Sequence, residues 1–182
     1  SHSAVILEDY NKGLFNKEFT SEVIKMTREA GSLIAVDPSR DTNPLFYKGV
    51  DLLKPNRLES QLMVHALGKT TKDINEISKI LMEELELNQL IITLGAEGMA
   101  ITEKGQKTVR IPTVAREVFD VSGAGDTAIS TIVAALSSGA SLEEAAWVGN
   151  CASGVVVGKK GTALVTQKEL RSFYTELQSL SL

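Results

Sequence analysis

The chain has 182 residues, which at roughly 150 residues per domain predicts one domain, or one domain and a small part of another. Hydrophobic residues make up 43% and charged residues 23%, values typical of a folded globular protein. The net charge of −4 argues against nucleic acid as the main partner, and Cys151, the only cysteine, excludes an intramolecular disulfide. No apolar stretch approaches the roughly 20 residues of a membrane span. A single cysteine suits a reducing compartment, so we expect a cytoplasmic protein.

The first part of the chain alternates strand and helix patterns. Residues 1–3 lack an initiator Met and any signal pattern, and we expect them to be a remnant of cloning. A strand-like run over 4–9 follows, then a helix pattern over 20–30 and a strand over 33–37. Residues 50–53 predict another short strand. This order is typical of a parallel sheet with crossover helices.

Two helices are predicted before the next strand. Leu58, Leu62 and Leu67 lie at helical spacings and predict the apolar face of the first helix. Asp73 is a candidate cap for the second, whose apolar residues recur every three or four positions over 74–85. Each helix is therefore expected to pack one face against the sheet.

The pattern changes in the second half of the chain. Residues 90–93 predict a buried strand, and 99–102 with 108–111 predict an antiparallel pair around a Lys-Gly turn. Three helical patterns then follow, over 129–136, 142–157 and 167–180. Together these elements predict an α/β fold with a doubly wound, mostly parallel sheet flanked by helices.

Polar segments follow the predicted parallel strands. Ligands of such sheets bind beyond the carboxyl ends of the strands, so these segments are expected to line one site. They are Glu8-Asp9, Asp37, Lys54-Pro55-Asn56, Thr93-Leu94-Gly95 and residues 120–126.

The most informative segment is Asp120-Val-Ser-Gly-Ala-Gly-Asp-Thr127, which stands directly before a helix. Helix N-termini offer unpaired N–H donors, and glycine lets an anion approach the backbone, so the segment predicts an anion site. Asp126 could accept the proton of an attacking hydroxyl beside a transferring phosphoryl group. A cap for the helix is the alternative for Asp126. A dinucleotide fingerprint is disfavoured, because the region about 20 residues on is helical.

This segment resembles the carboxyl-terminal signature of the ribokinase-like (PfkB) carbohydrate kinases, D-T-x-G-A-G-D. Three further segments resemble motifs of that family in the same order: Asn56-Arg-Leu-Glu59, Thr93-Leu-Gly-Ala-Glu-Gly98 and residues 150–162. Within the family, residues 8–13, 52–56 and 154–162 are most similar to bacterial heptose-7-phosphate kinases, the kinase part of ADP-heptose synthases. The resemblance covers about the last three-fifths of a family member. We therefore expect residues 4–182 to be the carboxyl-terminal part of a kinase domain, without the amino-terminal strands and the lid.

The resemblance implies a reaction and a set of roles. ATP and Mg²⁺ would be used to phosphorylate a sugar hydroxyl, with heptose 7-phosphate converted to the 1,7-bisphosphate in ADP-heptose and lipopolysaccharide biosynthesis. Asp126 would be the general base, and the backbone amides of Gly123, Ala124 and Gly125 would form an anion hole. Asn56 and Glu59 would hold Mg²⁺ and phosphates through water. Thr93, Gly95 and Gly98 would line the nucleotide, and Asn150 would lie beside adenine. Asp120 and Ser122 would bind a monovalent cation such as K⁺.

Other interpretations stay open at this point. Glu59 alone would be a solvated helix residue, and Gly95 and Gly98 alone would only turn the chain. The acceptor could be another sugar or small alcohol, or the chain could be a catalytically silent nucleotide-binding module. Where many relatives have Asp-Pro-Lys, this chain has Asp37-Pro-Ser-Arg40, so the cation there is displaced or absent. An open sheet edge would favour a homodimer, and we expect weak or absent turnover by this chain alone.

Overall fold

A computed structural model describes residues 3–114, 120–161 and 163–180 of the chain. Ser1, His2 and Thr162, which belong to segments discussed above, lie outside the described residues. Within the described part, a six-stranded sheet carries helices on both faces. This arrangement confirms the predicted α/β class with a mostly parallel sheet.

The six strands of this described sheet lie side by side in chain order. The first four are parallel, whereas the last two run antiparallel to their neighbours. They are β1 (Ala4–Glu8), β2 (Leu33–Asp37), β3 (Leu52–Leu53), β4 (Gln89–Thr93), β5 (Met99–Glu103) and β6 (Val109–Ile111). The antiparallel pair predicted around the Lys-Gly turn is thereby confirmed.

The helices divide between the two faces of the sheet. One face packs against α1 (Lys17–Glu29), α2 (Arg57–Ala66) and α3 (Ile74–Glu84). The other face packs against α4 (Ala124–Ser137) and α5 (Leu142–Val157), and α6 (Gln167–Leu180) lies against α5. Because every crossover among the parallel strands advances in one direction, the helices of those crossovers share a face.

Both faces of the central strands are buried. In β2, Ile34 and Val36 belong to the apolar cluster on the α1–α3 side, and Ala35 between them belongs to the cluster on the α4–α5 side. All three are fully buried. Successive side chains of a strand point to opposite faces, so a strand covered on both sides becomes a continuous apolar run. The short apolar runs in the sequence therefore predict buried strands correctly.

Two predicted details of the helices were wrong. α1 begins at Lys17 rather than at Thr20, because the side chain of Asn16 accepts a hydrogen bond from the Phe19 N–H at 2.9 Å and caps the helix. The buried residues of α2 are Ser60, Met63 and Val64, whereas Leu58 and Leu62 are exposed. The predicted strand over 50–53 is also shorter in the structure, since only Leu52 and Leu53 pair as strand.

Candidate active site

A polar cavity of about 1000 Å³ lies at the carboxyl ends of the four parallel strands. Each predicted post-strand segment contributes to its wall. The polar side chains that line it include Glu8, Asp9, Tyr10, Asp37, Arg40, Lys54, Asn56, Glu59, Thr93 and Asp126. The topology therefore gathers residues from five separate stretches of the chain at one edge of the sheet.

The amino terminus of α4 opens on this cavity. Gly123 occupies the N-cap position with a φ of 76°, a left-handed backbone that favours glycine, and no side chain caps the helix there. The N–H of Ala124 donates to the carbonyl of Val121 at 3.2 Å. None of the described main-chain hydrogen bonds uses the N–H of Gly123 or Gly125. The first turn thus keeps donors, and the positive end of the helix dipole, beside the cavity.

Asp126 lies in the first turn of α4, and its exposed carboxylate lines the cavity. It is not the cap of the helix, since Gly123 occupies that position. Its Oδ2 accepts a hydrogen bond from the Tyr10 hydroxyl at 2.8 Å, and that hydroxyl lies 3.0 Å from Glu8 Oε2. A carboxylate and a hydroxyl that lie 116 residues apart in the chain therefore meet at the cavity.

A buried ion pair packs against the first turn of α4 at Gly125. Lys54 Nζ lies 2.8 Å from Asp37 Oδ2, and only 3% of the Lys54 side chain is exposed. A Cβ added to Gly125 would lie 3.6 Å from that Asp37 oxygen and 3.7 Å from Lys54 Nζ, so glycine lets the helix approach the pair. Burial, helped by the charge of Asp126 and opposed by Lys54, raises the pKa of Asp37.

Asn56 and Glu59 form a reciprocal cap at the start of α2. Asn56 Oδ1 accepts from the Glu59 N–H at 2.9 Å, and the Asn56 N–H donates to Glu59 Oε2 at 2.8 Å. Burial, with the charge of Asp37 adding to it, raises the pKa of Glu59 against the lowering effect of the Asn56 N–H. The cap fixes both side chains at the wall of the polar cavity, where Arg57 pairs with Glu97 at 2.6 Å.

A second cavity, of about 370 Å³ and mostly apolar, adjoins the first. Thr93, Gly95 and Gly125 line both. Asn150 lies in the wall of the second cavity, where its Nδ2 donates to the Pro112 carbonyl at 2.7 Å. The pair of cavities offers a polar chamber joined to an apolar one, the composition that a phosphate chain with an attached aromatic base requires.

Gly98 also lines the apolar cavity, and its conformation has a structural reason. Its φ is 88°, and an added Cβ would lie 2.0 Å from the carbonyl oxygen of Ile111. The turn between β4 and β5 therefore packs its backbone directly onto the end of β6. Gly95 has a φ of 62°, but the space around it is open.

Asp120 and Ser122 stand just before α4. Asp120 Oδ1 accepts from the Ser122 N–H at 2.9 Å, and this main-chain hydrogen bond is the largest influence lowering the pKa of the Asp120 carboxyl. Across the described parts of the chain, no three His, Cys, Asp or Glu side chains are grouped as metal ligands. The monovalent-cation assignment stays a prediction.

The residues of the polar cavity to which the sequence assigned no individual role include Glu8, Tyr10, Asp37 and Lys54. Glu8, Asp37 and Lys54 were expected to line the site, because each stands at or directly after the end of a parallel strand, but their mutual contacts were not predicted. Tyr10 gave no comparable signal, since its partner Asp126 lies 116 residues further along the chain.

Comparison with known proteins identifies the family. The model of the pfkB family carbohydrate kinases matches residues 6–169. The chain belongs to this family. The relatives include a bifunctional protein HldE of Nitratiruptor sp., 42% identical over 172 residues, and one of Nitrosococcus oceani, 42% identical over 171 residues. The matches span 94% and 93% of this chain, but only 36% and 35% of those relatives.

Solved structures agree on the fold. A ribokinase of Thermotoga maritima superposes with a TM-score of 0.80 at 22% identity, over 95% of this chain and 57% of that one. The phosphofructokinase-2 of Escherichia coli in complex with potassium superposes with a TM-score of 0.82 at 19% identity, over 96% and 57%. Among the described residues of this pfkB-family chain, no helix has the length and apolar character of a membrane span.

Proposed function

We propose that residues 4–182 form the carboxyl-terminal part of a kinase domain that transfers the γ-phosphoryl group of ATP to a sugar hydroxyl. The acceptor we propose is heptose 7-phosphate, which would become the 1,7-bisphosphate. The sugar-kinase class is supported by the pfkB family match. The heptose acceptor is supported by the likeness of residues 8–13, 52–56 and 154–162 to heptose-7-phosphate kinases, and by HldE relatives of about 40% identity.

The position of Asp126 carries this proposal. Its carboxylate lies in the polar cavity at the open end of α4, next to the ion pair of Lys54 and Asp37. As the acceptor oxygen attacks the γ-phosphorus, Asp126 accepts the hydroxyl proton, and ADP leaves on the opposite side. Free N–H groups of the first turn stabilise the negative charge that develops on the phosphoryl oxygens.

The donor chemistry of the cavity fits Mg²⁺. Its wall carries the carboxylates of Glu8, Asp37, Glu59 and Asp126, and burial raises the pKa of the first three. Carboxylate oxygens are the ligands that Mg²⁺ prefers, and excess negative charge favours a divalent cation. Asn56 and Glu59 would hold the ion through water. When bound, Mg²⁺ would offset the charge of the nucleotide phosphates.

The two cavities would divide the remaining ligands. Thr93, Gly95 and Gly98 would contact the ATP phosphates and ribose, and Asn150 would lie beside adenine in the apolar cavity. We assign a monovalent cation such as K⁺ to Asp120 and Ser122. The homodimer stays a prediction: β1 pairs only with β2 among the described strands, which leaves one edge for further strands of a larger domain or for a second copy.

Asp126→Asn tests the proposal in the full-length protein that carries this sequence. We expect phosphorylation of heptose 7-phosphate to fall at least about 1000-fold, because the amide cannot accept the proton, while ATP binding persists. Asp73→Asn is the matched control, since Asp73 caps α3, does not line the cavity, and Asn caps equally well. Turnover of Asp126→Asn within tenfold of the parent would contradict the assigned role. Calorimetry with Mg²⁺ and ATP distinguishes a kinase from a silent nucleotide-binding module, because the module would bind ATP but transfer no phosphate to the sugar.

A further inference from the structure

The turn that carries Tyr10 is anchored in the interior. Asp9 is buried, and its Oδ2 accepts from the Tyr47 hydroxyl at 2.6 Å and from the Thr42 hydroxyl at 2.5 Å. Its Oδ1 accepts from the Asn11 N–H at 2.7 Å. Asn11 itself has a φ of 52°, the left-handed backbone that Asn tolerates. The main chain on both sides of Tyr10 is therefore fixed by a buried hydrogen-bond network.

The Tyr10 side chain is not buried with its neighbours. It is 62% exposed, and its hydroxyl lies over the polar cavity between two carboxylates, Asp126 at 2.8 Å and Glu8 at 3.0 Å. A hydroxyl proton can be donated to only one of them at a time. The hydrogen bond to Asp126, burial and the bond to Glu8 all raise the pKa of the phenol, so it stays a donor at neutral pH.

The geometry at Asp126 is that of an acceptor hydroxyl beside its base. A sugar hydroxyl must come within hydrogen-bond distance of Asp126 for its proton to be taken, roughly 2.6–3.2 Å between oxygens. The Tyr10 oxygen lies 2.8 Å from Asp126 Oδ2 and so meets this requirement. We propose that Tyr10 is a positioning residue whose hydroxyl occupies the acceptor's position at Asp126 until a sugar displaces it, which suppresses transfer of the phosphoryl group to water. This inference rests on the proposed kinase function.

The suppressed reaction is ATP hydrolysis. In that reaction a water oxygen bonds to the γ-phosphorus, the bond to the bridging oxygen of ADP breaks, and Asp126 takes a proton from the water. A phenol that donates to Asp126 Oδ2 fills this proton-accepting position, so a water molecule cannot donate its proton to the same oxygen. An exposed ring on an anchored turn can swing away without unfolding the turn, so a sugar that makes further contacts can replace it.

Tyr10→Phe in the full-length protein tests the inference. We expect ATP hydrolysis without sugar to rise about tenfold, the factor for one hydrogen bond to a charged group. The KM for the sugar should fall by a similar factor while kcat is retained, because the sugar no longer competes with the phenol. A purely structural role would lower kcat or stability and would not produce this split between KM and kcat.

Two further variants make the result decisive. Tyr174→Phe, at an exposed tyrosine of α6, should leave hydrolysis unchanged. Adding Asp126→Asn to Tyr10→Phe should abolish the gain, because the water then has no base. If Tyr10→Phe hydrolyses ATP at the parental rate while the parent phosphorylates sugar, the inference is wrong and the kinase proposal stands. If the parent protein phosphorylates no sugar, both the kinase proposal and the inference about Tyr10 are wrong.

Discussion

Replacing Lys54 by Met measures how strongly the buried ion pair supports the polar cavity. At the observed 2.8 Å, two unit charges attract by about 6 kcal/mol at an effective dielectric constant of 20. Desolvation cancels part of this attraction, and removing one partner of a buried pair costs about 3–5 kcal/mol. Because 20% of the Asp37 side chain stays exposed, we expect the lower end, about 3 kcal/mol in the free energy of unfolding at pH 7.

The loss should depend on pH with a defined sign. Burial and Asp126 already raise the pKa of Asp37, and without Lys54 it should rise further. Folded Lys54→Met then keeps a proton on Asp37 that the unfolded chain releases above about pH 4. Its free energy of unfolding therefore falls as pH increases from there, so the deficit against the parent should be smaller at pH 4 than at pH 7.

Urea denaturation followed by far-ultraviolet circular dichroism gives these free energies. Lys48→Met is the matched control, because Lys48 pairs with Glu86 at 2.9 Å with both side chains exposed, and we expect it to cost under about 1 kcal/mol. The double variant Asp37→Asn with Lys54→Met should recover stability relative to Lys54→Met, since no charge is left buried. Equal losses for the two lysine variants, or no recovery in the double variant, would refute the reasoning.

Two further predictions concern the backbone at Gly98 and the attachment of α6. Gly98→Ala should lower the free energy of unfolding by about 3 kcal/mol or more, because the new Cβ meets the Ile111 carbonyl, whereas Gly105→Ala, at a φ of 79° in open space, should cost about 1–2 kcal/mol in urea denaturation. Hydrogen bonds, the largest from Lys159, lower the pKa of Glu169 to about 2. The ionised Glu169 therefore contributes to the stability of the folded chain fully above pH 4.5, and this contribution is lost as pH falls toward 2. NMR spectra of α6 amides should shift within that window, and unchanged spectra would contradict it.

The sequence predicted those elements whose ends carry local signals. α5 and α6 begin and end at the predicted residues, and Ser141 with Glu144 forms a capping box that marks the start of α5. Asp73 caps α3 as expected through the Glu76 N–H. Such signals act over three or four residues, so a helix end of this kind can be predicted from the local sequence alone.

The face of a helix was harder to predict than its existence. In α2 the leucines Leu58 and Leu62 are exposed, and the fully buried positions include Ser60 and Val64. A small residue can be buried because the helix must approach the sheet closely, which depends on partners far away in the chain. Apolar character alone ranked Leu58 above Ser60, and tertiary packing reversed the order.

The partner of Asp37 shows why the site could be located but not assembled from the sequence. The residues after Asp37-Pro38 indicated that the cation there is displaced or absent, and in the structure Asp37 pairs with Lys54 at 2.8 Å. Register explains this, because Val36 pairs with Leu53 on the neighbouring parallel strand, so the next residues, Asp37 and Lys54, are lateral neighbours. β3 is only two residues long, too short for any periodicity to reveal its register. The ionic partner of Asp37 is thus set across the sheet, because Lys54 directly follows the neighbouring strand β3.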